Sequence, residues 1–186
     1  MPIIRYIAIA AFFLWIFIDG AVVFRYKTGK AENRDRFSLR VIAIGNMLMW
    51  TSSIFLSFST YGARVSMPVQ IAGLVLMVAG IVLRFTAISQ LGRFHTPNVA
   101  IRDDHQLMDT GLYRYIRHPS YLGALIAFLG FGLALGNWLG VAVIMILSPC
   151  IYLYRIHEEE QALRAGLGSA YIDYCKRTKR LIPGVY

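Results

Sequence analysis

Two short stretches carry most of the side chains capable of chemistry. "YRYIRHPSYLG", Tyr113 to Gly123, sets Arg, His, Pro, Ser and Tyr directly ahead of a long apolar run. "YRIHEEEQAL", Tyr154 to Leu163, follows that run with Arg, His and three consecutive Glu. Pro119 fixes its own φ and pushes His118 toward extended backbone, so a helix is predicted to start at Pro119 with His118 at its N-cap. The N–H groups of Ser120, Tyr121 and Leu122 would then point out of the helix start, an arrangement suited to a carboxylate or phosphate. Gly123, one turn in, lets another group approach the backbone. The same residues have a second reading, an interfacial belt of Tyr113, Arg114, Tyr115, Arg117 and Tyr121 that anchors a membrane span. In the second stretch Arg155 stands i, i+3 to Glu158 and i, i+4 to Glu159. Arg ahead of Glu is the less favourable order, and such pairs contribute about 0.3–0.5 kcal/mol, so helix support is a weak reason for them.

The elements that position these residues read as membrane spans. Mean hydropathy is +0.55 and 16% of residues are charged, far from the profile of a soluble domain. Apolar runs cover residues 3–24, 41–60 and 69–88, each near the roughly 20 residues that cross a hydrocarbon core. The first is longer than a signal-peptide core and lacks a small-residue cleavage site, so it is expected to be retained. Tyr121 to Tyr154 is apolar too, split by "GNW" at Gly136 to Trp138. A helical hairpin with arms of about 15 residues fits this pattern, with one long kinked helix as the other reading. A hairpin closing there brings His118 beside Arg155 to Glu159 at one membrane face. Pro149 removes a backbone donor and frees the carbonyl of Met145, which predicts a kink ahead of Arg155.

Of the 19 Lys and Arg, six lie in residues 25–40, four in 89–120 and six in 155–186. These are alternate loops of a five-helix arrangement, so the positive-inside rule predicts all three in the cytoplasm and the N-terminus outside. The +9 net charge therefore calls for anionic membrane lipids and no nucleic acid. Cys150 and Cys175 have neither an evident disulfide partner nor ligand spacing. His95, His105, His118 and His157 match no helix-face metal pair, so no metal is expected. Asp19 and Arg84 are charges inside spans, either paired with each other or facing a headgroup or ligand. "NMLMWTSS", Asn46 to Ser53, reads as helix–helix glue. With no repeat or composition break, residues 1–186 read as one membrane unit: three N-terminal spans to residue 90, then a cofactor-binding loop, a hairpin and a C-terminal cytoplasmic helix.

"GLYRYIRHPSYLG", an apolar hairpin with "NW" at its tip, and "RIHEEEQALRAGLGSAYIDYCKRTKRLIPG" together resemble the isoprenylcysteine carboxyl methyltransferase family of integral membrane enzymes. The phospholipid N-methyltransferases are more distant kin. The resemblance covers roughly residues 91–184; the RHPxY motif, the paired Glu and "RTKRLIPG" make it specific in combination. It implies an S-adenosylmethionine pocket facing the cytoplasm, closed by the C-terminal helix and tail, with lateral entry for a lipophilic or lipidated substrate. By that resemblance His105, Leu107, Tyr113, His118, Tyr121 and Glu159 would hold the cofactor, and the helix start read above adds Pro119 and Ser120. Arg155 would face the acceptor, with Glu159 and Arg155 the catalytic pair; Arg84, as a charge inside a span, is a candidate second substrate contact apart from the resemblance. Leu167 departs from the Phe common in the family. Bidentate Arg155 suits a carboxylate acceptor; an amine or thiol would need a proton acceptor such as His118, His157 or Glu158. A nicotinamide-dependent membrane reductase is the main alternative and would need a phosphate clamp, for which Arg114, Arg117 and Arg180 are candidates. A non-enzymatic transport protein leaves the clustering of His118, Arg155 and Glu159 without a purpose.

Overall fold

The structure is a computed structural model that describes residues 2–25, 36–92, 107–182 and 184. The basic segments 26–35 and 93–106, and with them His95 and His105, lie outside the described residues. Among the described residues six α-helices form the fold: α1 (Pro2–Arg25), α2 (Arg36–Phe58), α3 (Met67–Leu91), α4 (Pro119–Leu135), α5 (Trp138–Leu167) and α6 (Ser169–Arg177), with a 3-10 turn at Gly111–Arg114 before α4. Four helices, α1, α2, α3 and α5, are long and apolar enough to cross a membrane, and α4 is a shorter apolar helix. The protein is an all-α integral membrane protein.

The expected hairpin forms, with unequal arms. Gly136 ends α4 in the left-handed region at φ 84°, and Asn137 caps α5 by accepting from the N–H groups of Leu139 and Gly140. The arms run 17 and 30 residues rather than about 15 each. The second is longer because Arg155 to Leu167 is rich in strong helix formers and nothing breaks the helix before Gly168, at φ 55°. At 1.5 Å per residue α5 measures about 45 Å against a hydrocarbon core of about 30 Å, so its final turns have length to spare beyond the core. The helix is unbroken across Pro149. Asn137, fully buried, also donates to the carbonyls of Leu56 and Tyr61 at 2.9 and 2.8 Å, tying the hairpin tip to the α2–α3 connection.

The tightest helix contact lies between α3 and α4. Small residues recur at Gly73 and Gly80 on α3 and at Gly123, Ala127, Gly130 and Ala134 on α4. A Cβ on Gly73 would stand 2.7 Å from the Ala134 nitrogen, and one on Gly123 would stand 2.6 Å from the Arg84 nitrogen. The two backbones therefore touch along an antiparallel seam, the close approach that small residues permit in lipid. α5 packs on α2, where Ser53 donates to the Gly140 carbonyl at 3.2 Å. Ser53 thus supplies the glue expected of "NMLMWTSS", whereas Thr51 and Ser52 bond back to carbonyls of α2 itself. α1 closes over α4 through rings, with Phe12 stacked on Phe131 at 4.0 Å.

Asp19 and Arg84 pair with each other. Arg84 forks onto Asp19, Nε to Oδ1 at 2.6 Å and Nη2 to Oδ2 at 2.8 Å, with both side chains largely buried. Its Nη1 also donates to the Ser120 carbonyl at 3.4 Å. A charge inside a span is tolerable when paired and hydrogen-bonded. Here the pair clasps α1 and α3 to the first turn of α4, beside His118.

Candidate functional site

The site assembles where α4 begins and α5 leaves the apolar core. Pro119 occupies the first turn of α4 with His118 at the N-cap, as its sequence predicts. The expected trio of free donors is reduced, however. The N–H groups of Tyr121 and Leu122 both bond the His118 carbonyl at 3.1 Å. Closing this first turn leaves the N–H of Ser120 as the first-turn donor not committed to His118, because Pro119 has none.

Around that turn the side chains converge. The His118 ring stacks on Tyr121, with centroids 5.6 Å apart and planes 15° from parallel. The Tyr121 hydroxyl donates to Glu159 Oε2 at 2.7 Å, and the same phenol interacts with Arg155. Arg155 is 3% exposed; it is therefore buried against α4 rather than forming part of a solvated helix surface. Glu159 stays more open, its side chain 30% exposed. Fold and sequence agree that His118, Tyr121, Arg155 and Glu159 share one place.

The neighbouring Glu160 takes a role that residue type alone could not reveal. Its side chain is 4% exposed and receives Arg117 Nε at 2.9 Å, Arg180 Nη2 at 3.0 Å and His118 Nε2 at 3.4 Å. Arg117 and Arg180, candidates for a phosphate clamp, are thus turned inward onto a carboxylate. The signal lay in the register of α5: Ile151, Tyr152, Arg155, Ile156 and Glu160 continue one buried face at helical spacing.

The C-terminal segment is fastened over this hub. Lys179 N donates to the Tyr115 carbonyl, Arg117 N to the Lys179 carbonyl at 2.8 Å and His118 N to the Arg180 carbonyl at 3.0 Å, a short parallel bridge. Arg117 Nη1 also donates to the Thr178 carbonyl at 2.6 Å. From α6, Tyr174 donates its hydroxyl to the Tyr113 carbonyl at 2.6 Å; burial pushes this phenol above its usual range, so it remains a donor. Tyr171, 1% exposed, has a buried hydroxyl with no hydrogen-bond partner among the described residues. Its titration is also pushed up, by burial and then by the charge of Glu160.

The remaining expected residues are placed as follows. Leu107 is half-buried in the segment leading to the 3-10 turn. Tyr113, buried within that turn, donates its hydroxyl to the Ala87 carbonyl of α3 at 3.3 Å. Pro119 and Ser120 are buried in the first turn of α4. Arg84 is held by Asp19, and His105 lies outside the described residues. Among the described residues no group of three or more His, Cys, Asp or Glu is arranged to hold a metal ion.

Comparison with known proteins agrees with this architecture. Residues 73–165 match the isoprenylcysteine carboxyl methyltransferase (ICMT) family, so the likeness begins within α3, well upstream of the expected residue 91. Protein-S-isoprenylcysteine O-methyltransferase B of Arabidopsis thaliana is 34% identical over 115 residues, covering 61% of this chain and 58% of that protein. The protein-S-isoprenylcysteine O-methyltransferase of Schizosaccharomyces pombe is 34% identical over 116 residues, 61% of this chain and 49% of that one. A solved structure of the eukaryotic intramembrane Ras methyltransferase ICMT superposes with a TM-score of 0.63 at 26% identity, covering 77% of this chain and 52% of that one. The matches thus span only about half of these relatives' length. With the family match running from the α3–α4 seam through Arg155 and the glutamates of α5, the chain belongs to the isoprenylcysteine carboxyl methyltransferase family.

Proposed function

We propose that the chain is an S-adenosylmethionine-dependent methyltransferase acting at the cytoplasmic membrane face on a lipophilic acceptor. The observation that carries the reading is the meeting of His118, Tyr121, Arg155 and Glu159 at the α4–α5 junction in a member of this family. The residues fit the cofactor. Glu159 is open enough to take its cationic amino group. Tyr121 offers a sulfonium or adenine the aromatic face turned away from His118. Donors for its carboxylate are fewer than the sequence suggests, with the Ser120 N–H the first-turn donor not bonded to another described residue. Leu107, Tyr113 and Pro119 complete the walls, and His105 is kept in the set from the resemblance.

When bound, the cofactor supplies a methyl group on a sulfonium, which passes to an acceptor by in-line displacement. The protein's share is alignment, exclusion of water and placement of charge. Arg155 orients the acceptor. A fork from its guanidinium fits a carboxylate, consistent with a prenylcysteine-like substrate of the kind named in the relatives; an amine or thiol acceptor is the alternative. Because Asp19 occupies Arg84, that guanidinium supports the helix start and the acceptor contact falls to Arg155. A run of rings continues inward from the site, Tyr121 to Tyr152 at 5.4 Å, Tyr152 to Phe128 at 5.8 Å and Phe128 to Trp15 at 5.4 Å. These rings belong to the buried core that backs the site.

Calorimetry on detergent-solubilised protein tests the reading. S-adenosylmethionine and S-adenosylhomocysteine are expected to bind, and Glu159→Gln to lose most of the affinity. Absence of binding to wild type would refute it, and binding of a reduced nicotinamide cofactor instead would favour the reductase, against which Arg117 and Arg180 are already turned on Glu160. Mass spectrometry of lipid extracts incubated with methyl-labelled cofactor then identifies the acceptor.

A further inference from the structure

His118 stands between two carboxylates that the fold uses differently. Its Nε2 lies 3.4 Å from Glu160 Oε1 and its Nδ1 3.8 Å from Glu159 Oε2. Glu160 is already shared by two guanidiniums, Arg117 and Arg180. A carboxylate so held is ionised and can only accept, so the imidazole nitrogen facing it carries the hydrogen. In the neutral ring that makes Nδ1 an acceptor. Nδ1 then faces Glu159 Oε2, another acceptor, across a gap longer than a hydrogen bond. Two lone-pair centres side by side with no hydrogen between them are an arrangement that a donor completes.

The ring is fixed in this pose from several sides. Tyr121 of α4 lies flat against it and also donates to Glu159. The backbone N–H of His118 is bonded to the Arg180 carbonyl of the C-terminal segment. Arg117 and Arg180 hold Glu160 from the other side. Arg155 stands against the Tyr121 phenol.

We propose that Glu160 is a positioning residue that keeps the hydrogen on His118 Nε2, so that His118 Nδ1 and Glu159 Oε2 form a paired acceptor notch for a primary ammonium group. The inference rests on the methyl-donor reading, in which that ammonium is the α-amino group of S-adenosylmethionine or its demethylated product. It adds His118 Nδ1 to the amino-group contacts and Glu160 as the residue that sets it.

Two measurements test it, one of them independent of any cofactor. Nitrogen-15 shifts of the ligand-free wild type at about pH 8, above the usual His range, with His118 assigned by difference from His118→Asn, should show a protonated Nε2 and a bare Nδ1. An Nδ1–H tautomer or an imidazolium overturns the proposal. The second is calorimetry with S-adenosylhomocysteine and its analogue lacking the α-amino group. Wild type should prefer the amino-bearing ligand by roughly tenfold or more, the scale of a charge-assisted contact. In Glu160→Gln the amide can donate to Nε2, freeing the ring to move its hydrogen to Nδ1, so the ratio of the two affinities should collapse to within about threefold, whatever loss the two ligands share from the loosened C-terminal segment. Glu160→Asp, retaining a carboxylate, should restore the preference. Persistence of the full preference in Glu160→Gln refutes the role of Glu160 alone; failure of S-adenosylhomocysteine to bind wild type removes the methyl-donor reading and the ammonium assigned to the notch with it.

Discussion

Adding one methyl group at Gly80 tests whether the α3–α4 seam holds the site in place. A Cβ there would lie 2.6 Å from the Gly123 carbonyl oxygen and 2.8 Å from the Ala127 Cα, and closer still to the Ala127 nitrogen. Ordinary contact begins at 3.4 Å, so α3 and α4 would have to part by at least about 0.8 Å, the shortfall at the carbonyl, and by more at the nitrogen. Every atom met is backbone, which cannot swing aside as a side chain can. Overpacking of this kind costs about 1–3 kcal/mol, and the rigid partner places Gly80→Ala near the upper end. For a chain of this size the melting temperature should fall by about 4–12 °C. Gly20→Ala is the control, since Gly20 lies in α1 with nothing within 4 Å of its would-be Cβ; it should be neutral or slightly stabilising. Gly123 meets the backbone of both Arg84 and Gly80, so parting the seam also draws Arg84 away from the Ser120 carbonyl. Affinity for S-adenosylhomocysteine should fall with stability. Thermal unfolding in detergent and calorimetry read the two effects. A Gly80→Ala protein that melts with Gly20→Ala and binds like wild type would refute the account of the seam.

Asp19→Ala leaves Arg84 buried without its counter-charge and should cost about 3–5 kcal/mol, whereas Asp19→Leu combined with Arg84→Met should recover most of the loss; equal melting of the two variants would show that the charges are not coupled. Arg155→Lys keeps the charge but loses the fork, so kcat/KM toward a carboxylate acceptor should fall at least tenfold with cofactor affinity near wild type. Unchanged turnover would favour an amine or thiol acceptor. In a background lacking Cys150 and Cys175, a cysteine at Tyr61, which is 72% exposed, should label from outside and one at the C-terminus from the cytoplasm. Labelling from one side only would refute the five-span orientation.

The helices were legible because lipid demands long apolar runs and because Gly136, Asn137 and Pro119 are unambiguous punctuation. Their pairing was less so. The eye follows "GNW" to the α4–α5 hairpin, yet the closest backbone approach is α3 on α4, specified by glycines seven apart on helices separated in sequence. That signal is visible only when two helices are compared at once. Asp19 and Arg84 announced themselves as costly charges, but nothing local told a pair from a ligand contact.

Three glutamates in a row show the finer limit. Glu158, Glu159 and Glu160 share their chemistry, so only helical phase separates them, and successive residues turn by about 100° on the helix surface. The buried register through Tyr152, Arg155 and Ile156 carries Glu160 inward, toward Arg117 and Arg180, and leaves Glu159 at the rim with Tyr121. One glutamate is thereby consumed in fastening the C-terminal segment to the turn that holds His118. The other stays partly open, where the proposed function gives it the cofactor's amino group. A site built this way couples its chemistry to the docking of its own tail: the segment that carries Arg180 helps to ionise the carboxylate that orients His118, which in turn faces the glutamate left open.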